Sequence, residues 1–478
     1  MKDRNTYDAI IIGAGISGLV CGCYLAKAGL GVLILEQHHK PGGYCTSFKR
    51  KGFLFDAAAH SFGNYRQGGH VRMILSDLGV SDMITIDRYD PSDVIISSDF
   101  KLTLKNDRQA SIDELATVFP KEKTNINNFF NFLTASDQLE FTRLKGKTFL
   151  HLLQNFFHDE KLISALALPV FGNGGLPPSL MYAFNGAKIF SEFLIDGGYY
   201  PRGGIQKLPD ALSKIIVNNK GEFKYGKRVS KILHNHISAC GIRLESGEDF
   251  FSDYVISACD ITQTVKIFLD KDVVNNETST SIDNMIPSLS TFILYIGIDG
   301  LFTGLPEPGT NVWHLPNYDL AYVYANLNKC IFDDFTPFMY RVSPDRKTIL
   351  AFMSAPFATP FFWEKHKILI AENLMKKIKT LIPNIMEHVL YFDAASPLTL
   401  YRYTLNHKGS AFGWAKLPVQ IPDIISCKTP PLKGLYFTGH WASIGSGIPG
   451  TCYSGWDTAK RVLRKVVSTQ EHTNDLMP

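Results

Sequence analysis

The sequence predicts an α/β fold built on a parallel sheet of the dinucleotide-binding kind, and three observations lead there. Residues 7–12 form an apolar strand that runs directly into Gly13, Gly15 and Gly18, a Gly-x-Gly-x-x-Gly spacing. Residues 31–36 form a second apolar strand that ends on the carboxylate of Glu36. Toward the other end, residues 434–438 read as a short strand, followed by Gly445, Gly447 and Gly450 and by a helical segment from about Thr451 to Val467.

Each element of the first unit has a mechanical reason. Gly13 lets the chain turn sharply off the strand. Gly15 has no side chain to hold a pyrophosphate away, and Gly18 lets the helix that starts near Ser17 pack on the sheet. The backbone N–H groups of Ile16 and Ser17 at that helix start face a phosphate, with the helix dipole adding to the attraction. Glu36 is placed to accept hydrogen bonds from both hydroxyls of an adenosine ribose, and it repels a 2′-phosphate, which argues against an NADP-type ligand. Gly42 and Gly43 then suggest backbone passing close to a second stretch of a long cofactor. Residues 52–56 begin another strand-like run.

The second glycine triplet is not a second nicotinamide site. Pro449 sits inside it, and too few residues follow for another strand–helix–strand unit. It reads instead as a turn that opens a helix toward an electron-rich ligand such as the edge of a reduced flavin, with Gly439, Gly447, Ile448 and Pro449 at the contact.

Composition narrows the class. The 478 residues are 45% hydrophobic and 20% charged, which specifies a folded chain of two or three structural units. A net charge of +4 is too small for its length to imply nucleic acid. The 8 cysteines are scattered without Cys-x-x-Cys or metal-like spacing, as expected for reduced, mostly buried thiols. Residues 1–6 are too short and polar for a signal or transit peptide, and no apolar run approaches a membrane span, the longest lying near residues 292–298. The expected location is cytoplasmic or on a membrane surface.

Taken together, Gly13, Gly15, Gly18, Glu36, Gly42 and Gly43, residues 200–205 with Leu208, residues 256–260, and residues 434–455 resemble the phytoene desaturase superfamily of flavoproteins. That superfamily includes carotenoid isomerases and retinol saturases. Order and spacing match over nearly the whole chain, most specifically at its two ends. Residues 55–63 and Gly439, His440 and Trp441 look more like the isomerase and saturase branch than like bacterial phytoene desaturases. One departure is Tyr44, where many relatives carry arginine, which leaves that phosphate contact to Lys49, Arg50 or backbone.

The resemblance implies a Rossmann-type FAD-binding domain of the glutathione-reductase and amine-oxidase kind, built from residues 1–75, 197–280 and 427–470. It implies an inserted α+β substrate domain over 76–196 and 281–426, and a tail over 471–478. Within the middle FAD piece, residues 227–233, 241–244 and 253–258 read as a meander of short strands. Val229 is the position that meets the adenine through its backbone in such proteins, although a plain strand-core role fits it equally. His234 and His236 read as part of an exposed strand.

The 33 Phe, 20 Tyr and 5 Trp crowd into the substrate portion. Ile126, Phe129, Phe130 and Leu133 follow helical spacing, as do Phe149, Leu152, Leu153, Phe156 and Phe157. Each alone reads as helix core, whereas the set favours a long apolar pocket and an apolar small-molecule substrate. Residues 360–363 (Pro-Phe-Phe-Trp) precede a helix with Ile370, Leu374, Ile378 and Leu381 on one side and Lys365, Lys367, Lys376, Lys377 and Lys379 elsewhere. Such a segment is a solvated helix with a buried stripe or a peripheral contact with an anionic membrane.

The chemistry that follows is FAD-dependent oxidoreduction at the carbon–carbon bonds of a polyene or similar apolar lipid, by desaturation, saturation or cis–trans isomerisation. His60 and His440 are the candidate acid or orienting groups, with Tyr403 a further candidate, and a satisfied structural histidine is the alternative for both. Two rival functions share the plan. An amine or amino-acid oxidase needs an aromatic cage or an anchoring arginine, for which Arg402 is the visible candidate, and a non-catalytic flavoprotein needs neither. Hydrolase, Walker and His-Glu-x-x-His motifs are absent from the sequence. No separate nicotinamide domain is visible, so oxygen, a quinone and free nucleotide all stay open as electron acceptor.

Overall fold

A computed structural model describes residues 5–135 and 143–474. The last helix, Gly447–Asn474, contains the start of the expected tail, and residues 475–478 lie outside the described residues.

Five parallel strands form the first sheet, in the order Leu435–Phe437, Tyr254–Ser257, Ala9–Ile12, Val32–Glu36 and Glu222–Tyr225. They come from three separated stretches of chain. All of Ala9–Ile12 is buried, as a central parallel strand covered on both faces requires. Helix Ile16–Lys27 links it to Val32–Glu36 and buries every residue but Tyr24 and Lys27. The far-end helix Gly447–Asn474 crosses it closely, because a Cβ on Gly455 would stand 2.4 Å from the Ser17 carbonyl oxygen.

A mixed sheet of seven strands forms the second layer, in the order Val389–Ala395, Ser290–Ile298, Thr348–Ala355, Phe338–Val342, Asn311–His314, Asp93–Ile96 and Lys101–Leu104. The apolar run near residues 292–298 is an inner strand of this sheet. One face packs helix Glu160–Gly174 around Ile293, Phe352, Met339 and Trp313. The other face packs helix Pro360–Leu381 through Trp363, Ile370, Leu374 and Ile378.

Four sequence expectations change. Residues 253–258 do not continue the meander: its third strand is Asp249–Phe251, and Tyr254–Ser257 joins the parallel sheet beside Ala9–Ile12. His234 ends a strand and donates to the Asp270 carboxylate (3.1 Å), while His236 turns the chain at φ 68°. Ile126, Phe129, Phe130, Leu133, Phe149, Leu152, Leu153 and Phe157 are all buried against one another, with Phe156 packed on them, so they build core and not a pocket wall. Trp363 is 2% exposed and stacks on Phe292, so it belongs to the core as well. Five of the cysteines are buried and the other three are half-buried, all as free thiols.

No helix among the described residues is long and apolar enough to cross a membrane.

Candidate active site

At the end of the first strand, Gly13 has φ +99° and its N–H donates to the Leu35 carbonyl (2.8 Å). Only glycine adopts that backbone readily. Gly15 caps helix Ile16–Lys27 in extended conformation (φ −71°), and a Cβ built on it meets no atom within 4 Å. It would project into open cavity. The first backbone bond of the helix is Leu19 N–H to Gly15 O (2.9 Å), so the N–H groups of Ile16, Ser17 and Gly18 have no helical carbonyl to reach. Gly42, at φ +132°, pairs with Gly15 and donates its N–H to Ala14 O (2.8 Å), which lays the second glycine turn directly against the first.

Glu36 closes this end. Its two carboxylate oxygens accept from the backbone N–H groups of Ala14 and His38, each at 2.8 Å. Burial pushes its pKa up, and the N–H groups of His38, Ala14 and Gln37 oppose that push. Val229 lies alongside, together with Lys227 and Arg228. A cradle that a Cβ at Gly15 would fill, unpaired helix-start donors and an acid at the end of the second strand fit a dinucleotide cofactor.

The cavity, about 1710 Å³ between its atoms, runs on past Gly43 to Gly439, Gly447, Ile448 and His440. His440 is held between Tyr44 and Trp441. Burial, and then the charge of nearby Lys416, push its pKa down to about 3. Lys416 is itself buried, donates to the Ser443 carbonyl (3.1 Å), and is pushed down by burial to about 7.

His60 sits on the floor in a network of amides. Its Nδ1 lies 3.0 Å from Asn311 Oδ1 and its Nε2 lies 3.2 Å from Asn173 Oδ1. Both amides are oriented by other bonds. Asn311 Nδ2 donates to Ser61 Oγ (3.1 Å) and Asp93 Oδ1 (3.0 Å), and Asn173 Nδ2 donates to the Pro169 carbonyl (2.9 Å). Both ring nitrogens thus face acceptors, and a neutral imidazole can donate to only one of them. Burial holds His60 down to about 4, with Asn311 opposing and Arg341 assisting. Asp93, buried beneath, is pushed up to about 6 against the hydrogen bonds from Trp313 and Asn311.

The cavity brings together most of the expected residues: Gly13, Gly15, Ile16, Ser17, Glu36, Gly42, Gly43, Val229, Gly439, Gly447, Ile448, His60, His440 and Tyr403 all line it. Tyr403 stands at the mouth, 47% exposed. Gly18 and Pro449 do not line it. A Cβ on Gly18 would sit 2.2 Å from the Gly13 carbonyl oxygen, so this glycine serves helix-on-strand contact, and Pro449 lies within the first turn of the last helix. Lys49 and Arg50 lie on the outer hairpin Ser47–Arg50/Phe53–Asp56, away from the cavity, and Arg402 rests on the Tyr403 ring outside it. Tyr44 turns inward and donates to the Ser410 carbonyl (2.8 Å). Sequence reasoning missed Lys227, Arg228, Asn173, Phe193 and Phe352. The two cations next to Val229 were legible as neighbours of a named residue, whereas the other three carry no local signal.

Comparison with known proteins agrees with this geometry. Residues 16–463 match the family described as flavin containing amine oxidoreductase. Prolycopene isomerase 2, chloroplastic, of an Oncidium hybrid cultivar is 25% identical over 97% of this chain and 84% of its own length. The all-trans-retinol 13,14-reductase of Danio rerio is 23% identical over 90% of this chain and 82% of its own. Among solved structures, an oxidoreductase from Methanosarcina mazei superposes with a TM-score of 0.68 at 17% identity, covering 95% of this chain and 100% of that one. Wild-type putrescine oxidase bound to putrescine gives 0.68 at 15% identity, over 96% and 99%. The family match begins at Ile16, just after Gly13 and Gly15, and spans every later strand of both sheets and most of the last helix. The chain therefore belongs to the flavin-containing amine oxidoreductase family, as an FAD-dependent oxidoreductase.

Proposed function

We propose that the protein acts on carbon–carbon bonds of a polyene or other apolar lipid, by desaturation, saturation or cis–trans isomerisation. The observation that carries this is the chemistry of the cavity wall beyond the cradle. Phe193, Ile293, Phe352, Leu400 and Phe412 line it, and Glu36, at the nucleotide end, is the only carboxylate among the described lining residues. An ammonium substrate would find no counter-charge there, and burying it unpaired is costly. Two of the relatives are named for prolycopene and all-trans-retinol, which supports the same reading.

In this reading Gly13, Gly15, Ile16 and Ser17 hold the pyrophosphate, Glu36 the ribose, Val229 the adenine, and Gly42, Gly43, Gly439, Gly447 and Ile448 the remainder, with Gly18 and Pro449 shaping the turns. The FAD portion comprises residues 1–75, 197–280 and 427–470, and the substrate portion 76–196 and 281–426. When bound, FAD supplies a centre that accepts or donates a hydride. His60, with an amide oxygen facing each ring nitrogen, is the group that would hold a proton or orient the substrate at the cavity floor. His440 keeps its neutral ring against the cofactor end, and Tyr403 orients the substrate at the mouth.

The test is turnover. Anaerobic holoenzyme mixed with all-trans and cis polyenes should change the isomer composition or the number of double bonds, followed by chromatography and mass spectrometry. Bleaching of the flavin by primary amines, with no change in any polyene, would overturn the assignment.

Delivery of such a substrate suits a peripheral membrane contact. On helix Pro360–Leu381 the outward residues Phe361, Ile368 and Leu369 are 73%, 58% and 51% exposed and stand near Lys365, Lys376 and Lys379 in helical spacing. Lys377 is not part of this face, because it donates to the Asp333 and Thr336 carbonyls. The expected result is co-sedimentation with anionic vesicles at low salt. Replacing Phe361, Ile368 and Leu369 by serine should weaken it by at least about tenfold. Trp363 is left intact because it is core. Equal binding by the triple variant would remove the docking idea.

A further inference from the structure

The apolar cavity ends at one aromatic ring, and a second hollow begins behind that ring. Across one face of the seven-stranded sheet, hydrogen-bonded register sets Ile293 beside Phe352, Phe352 beside Met339, and Met339 beside Trp313. Neighbouring strands are about 4.8 Å apart, so these four side chains form a continuous row. The cavity reaches Ile293 and Phe352. A separate small hollow, about 20 Å³ in volume, lies over Phe352, Met339 and Trp313. Phe352 therefore belongs to both walls.

The roof is shared too. Helix Glu160–Gly174 contributes Asn173 to the cavity and Leu168, Phe171 and Gly172 to the hollow. It lies close to the sheet at this point, because a Cβ on Gly172 would stand 2.3 Å from the Trp313 ring. Along the row the Phe352 ring stands between the two spaces. It packs 5.1 Å from the His60 ring on one side and edge-on, 5.9 Å, to Trp313 on the other. The hollow is apolar apart from Ser354, which excludes a polar or charged occupant.

We propose that Phe352 sets the length of the apolar chain that the cavity accepts, and that the space its ring vacates, joined to the hollow behind it, receives the end of a longer chain when the ring is absent or turned aside. This rests on the apolar-lipid reading above and goes further, by assigning the residue and the space that limit the substrate.

The experiment measures binding, not turnover. Holoenzyme is titrated with farnesol, geranylgeraniol and geranylfarnesol, which lengthen by one isoprene unit at each step, and binding is followed by the change in flavin absorption and by tryptophan fluorescence. Wild type should lose affinity at the member that outgrows the cavity. Phe352→Ala should move that limit to a longer member and raise affinity for it at least about tenfold, the gain expected from burying two further methylenes. Phe352→Leu removes less of the ring and carries the test if the alanine variant loses flavin. Phe352→Trp, which enlarges the partition, should move the limit to a shorter member. An unchanged length profile in flavin-loaded Phe352→Ala or Phe352→Leu overturns the partition role while leaving the substrate class intact. Failure of wild type to bind any of the three alcohols overturns the substrate class, and the role of Phe352 with it.

Discussion

Gly15→Val protein should fold, melt cooperatively and be colourless. The backbone at Gly15 is extended, so valine fits it without strain, and the new side chain meets no protein atom within 4 Å of its Cβ. What it meets is the space in which the pyrophosphate must approach the N–H groups of Ile16 and Ser17. Losing two charge-assisted hydrogen bonds at about 1.5–3 kcal/mol each lowers FAD affinity by roughly a hundredfold to ten-thousandfold. The readout is heat-released flavin per mole of protein beside a thermal melt. Wild-type flavin content would place the pyrophosphate elsewhere. Gly18→Val is the contrast: its Cβ would collide with the Gly13 carbonyl at 2.2 Å, so that variant should fail to fold at all.

Glu36→Ala should lose on two counts. In the apoprotein, the N–H groups of Ala14 and His38 lose their acceptors, and each buried unsatisfied donor costs about 1–3 kcal/mol. Stability should drop by about 2–4 kcal/mol in denaturant melts, allowing for partial access of water. In the holoprotein the ribose loses its acceptor as well, and FAD affinity should fall at least about tenfold. Glu36→Gln keeps one oxygen and separates the two effects, since it should recover part of the stability and little of the affinity. Unchanged melting of the alanine variant would show that the loop N–H groups find other partners.

The cradle was legible because its signal is local. Strand, Gly13, Gly15, Gly18, helix and Glu36 lie within 36 residues, and the geometry of each follows from its neighbours in sequence. The substrate side was not. Helical spacing of Phe129, Phe130, Phe149 and Phe157 reports a buried face, and periodicity cannot say whether a buried face looks onto core or onto a cavity. The side chains that do reach the cavity, Asn173, Phe193, Phe352 and Phe412, come from segments far apart in the chain and meet only through the sheet order. Trp363 shows an intermediate case. Its spacing to Ile370, Leu374 and Ile378 places it on the buried stripe, and the adjoining Phe361 and Phe362 obscured that pattern. Tyr254–Ser257 fell into the wrong sheet because a short strand carries no mark of whether its partners run parallel or antiparallel to it.

The close crossing of helices Ile16–Lys27 and Gly447–Asn474 also dictates when the protein can become itself. At roughly 5–20 residues per second, ribosomal synthesis leaves about 20–90 seconds between the first helix and the Gly455 that covers it. Throughout that interval the nascent first unit shows the outside world a surface that the finished protein hides, with strand Leu435–Phe437 not yet made. A holding chaperone has both the time and the surface to engage it. Gly439 and Gly447, which complete the cavity, are made after most of its lining, so the cofactor finds a whole site only once they have been added.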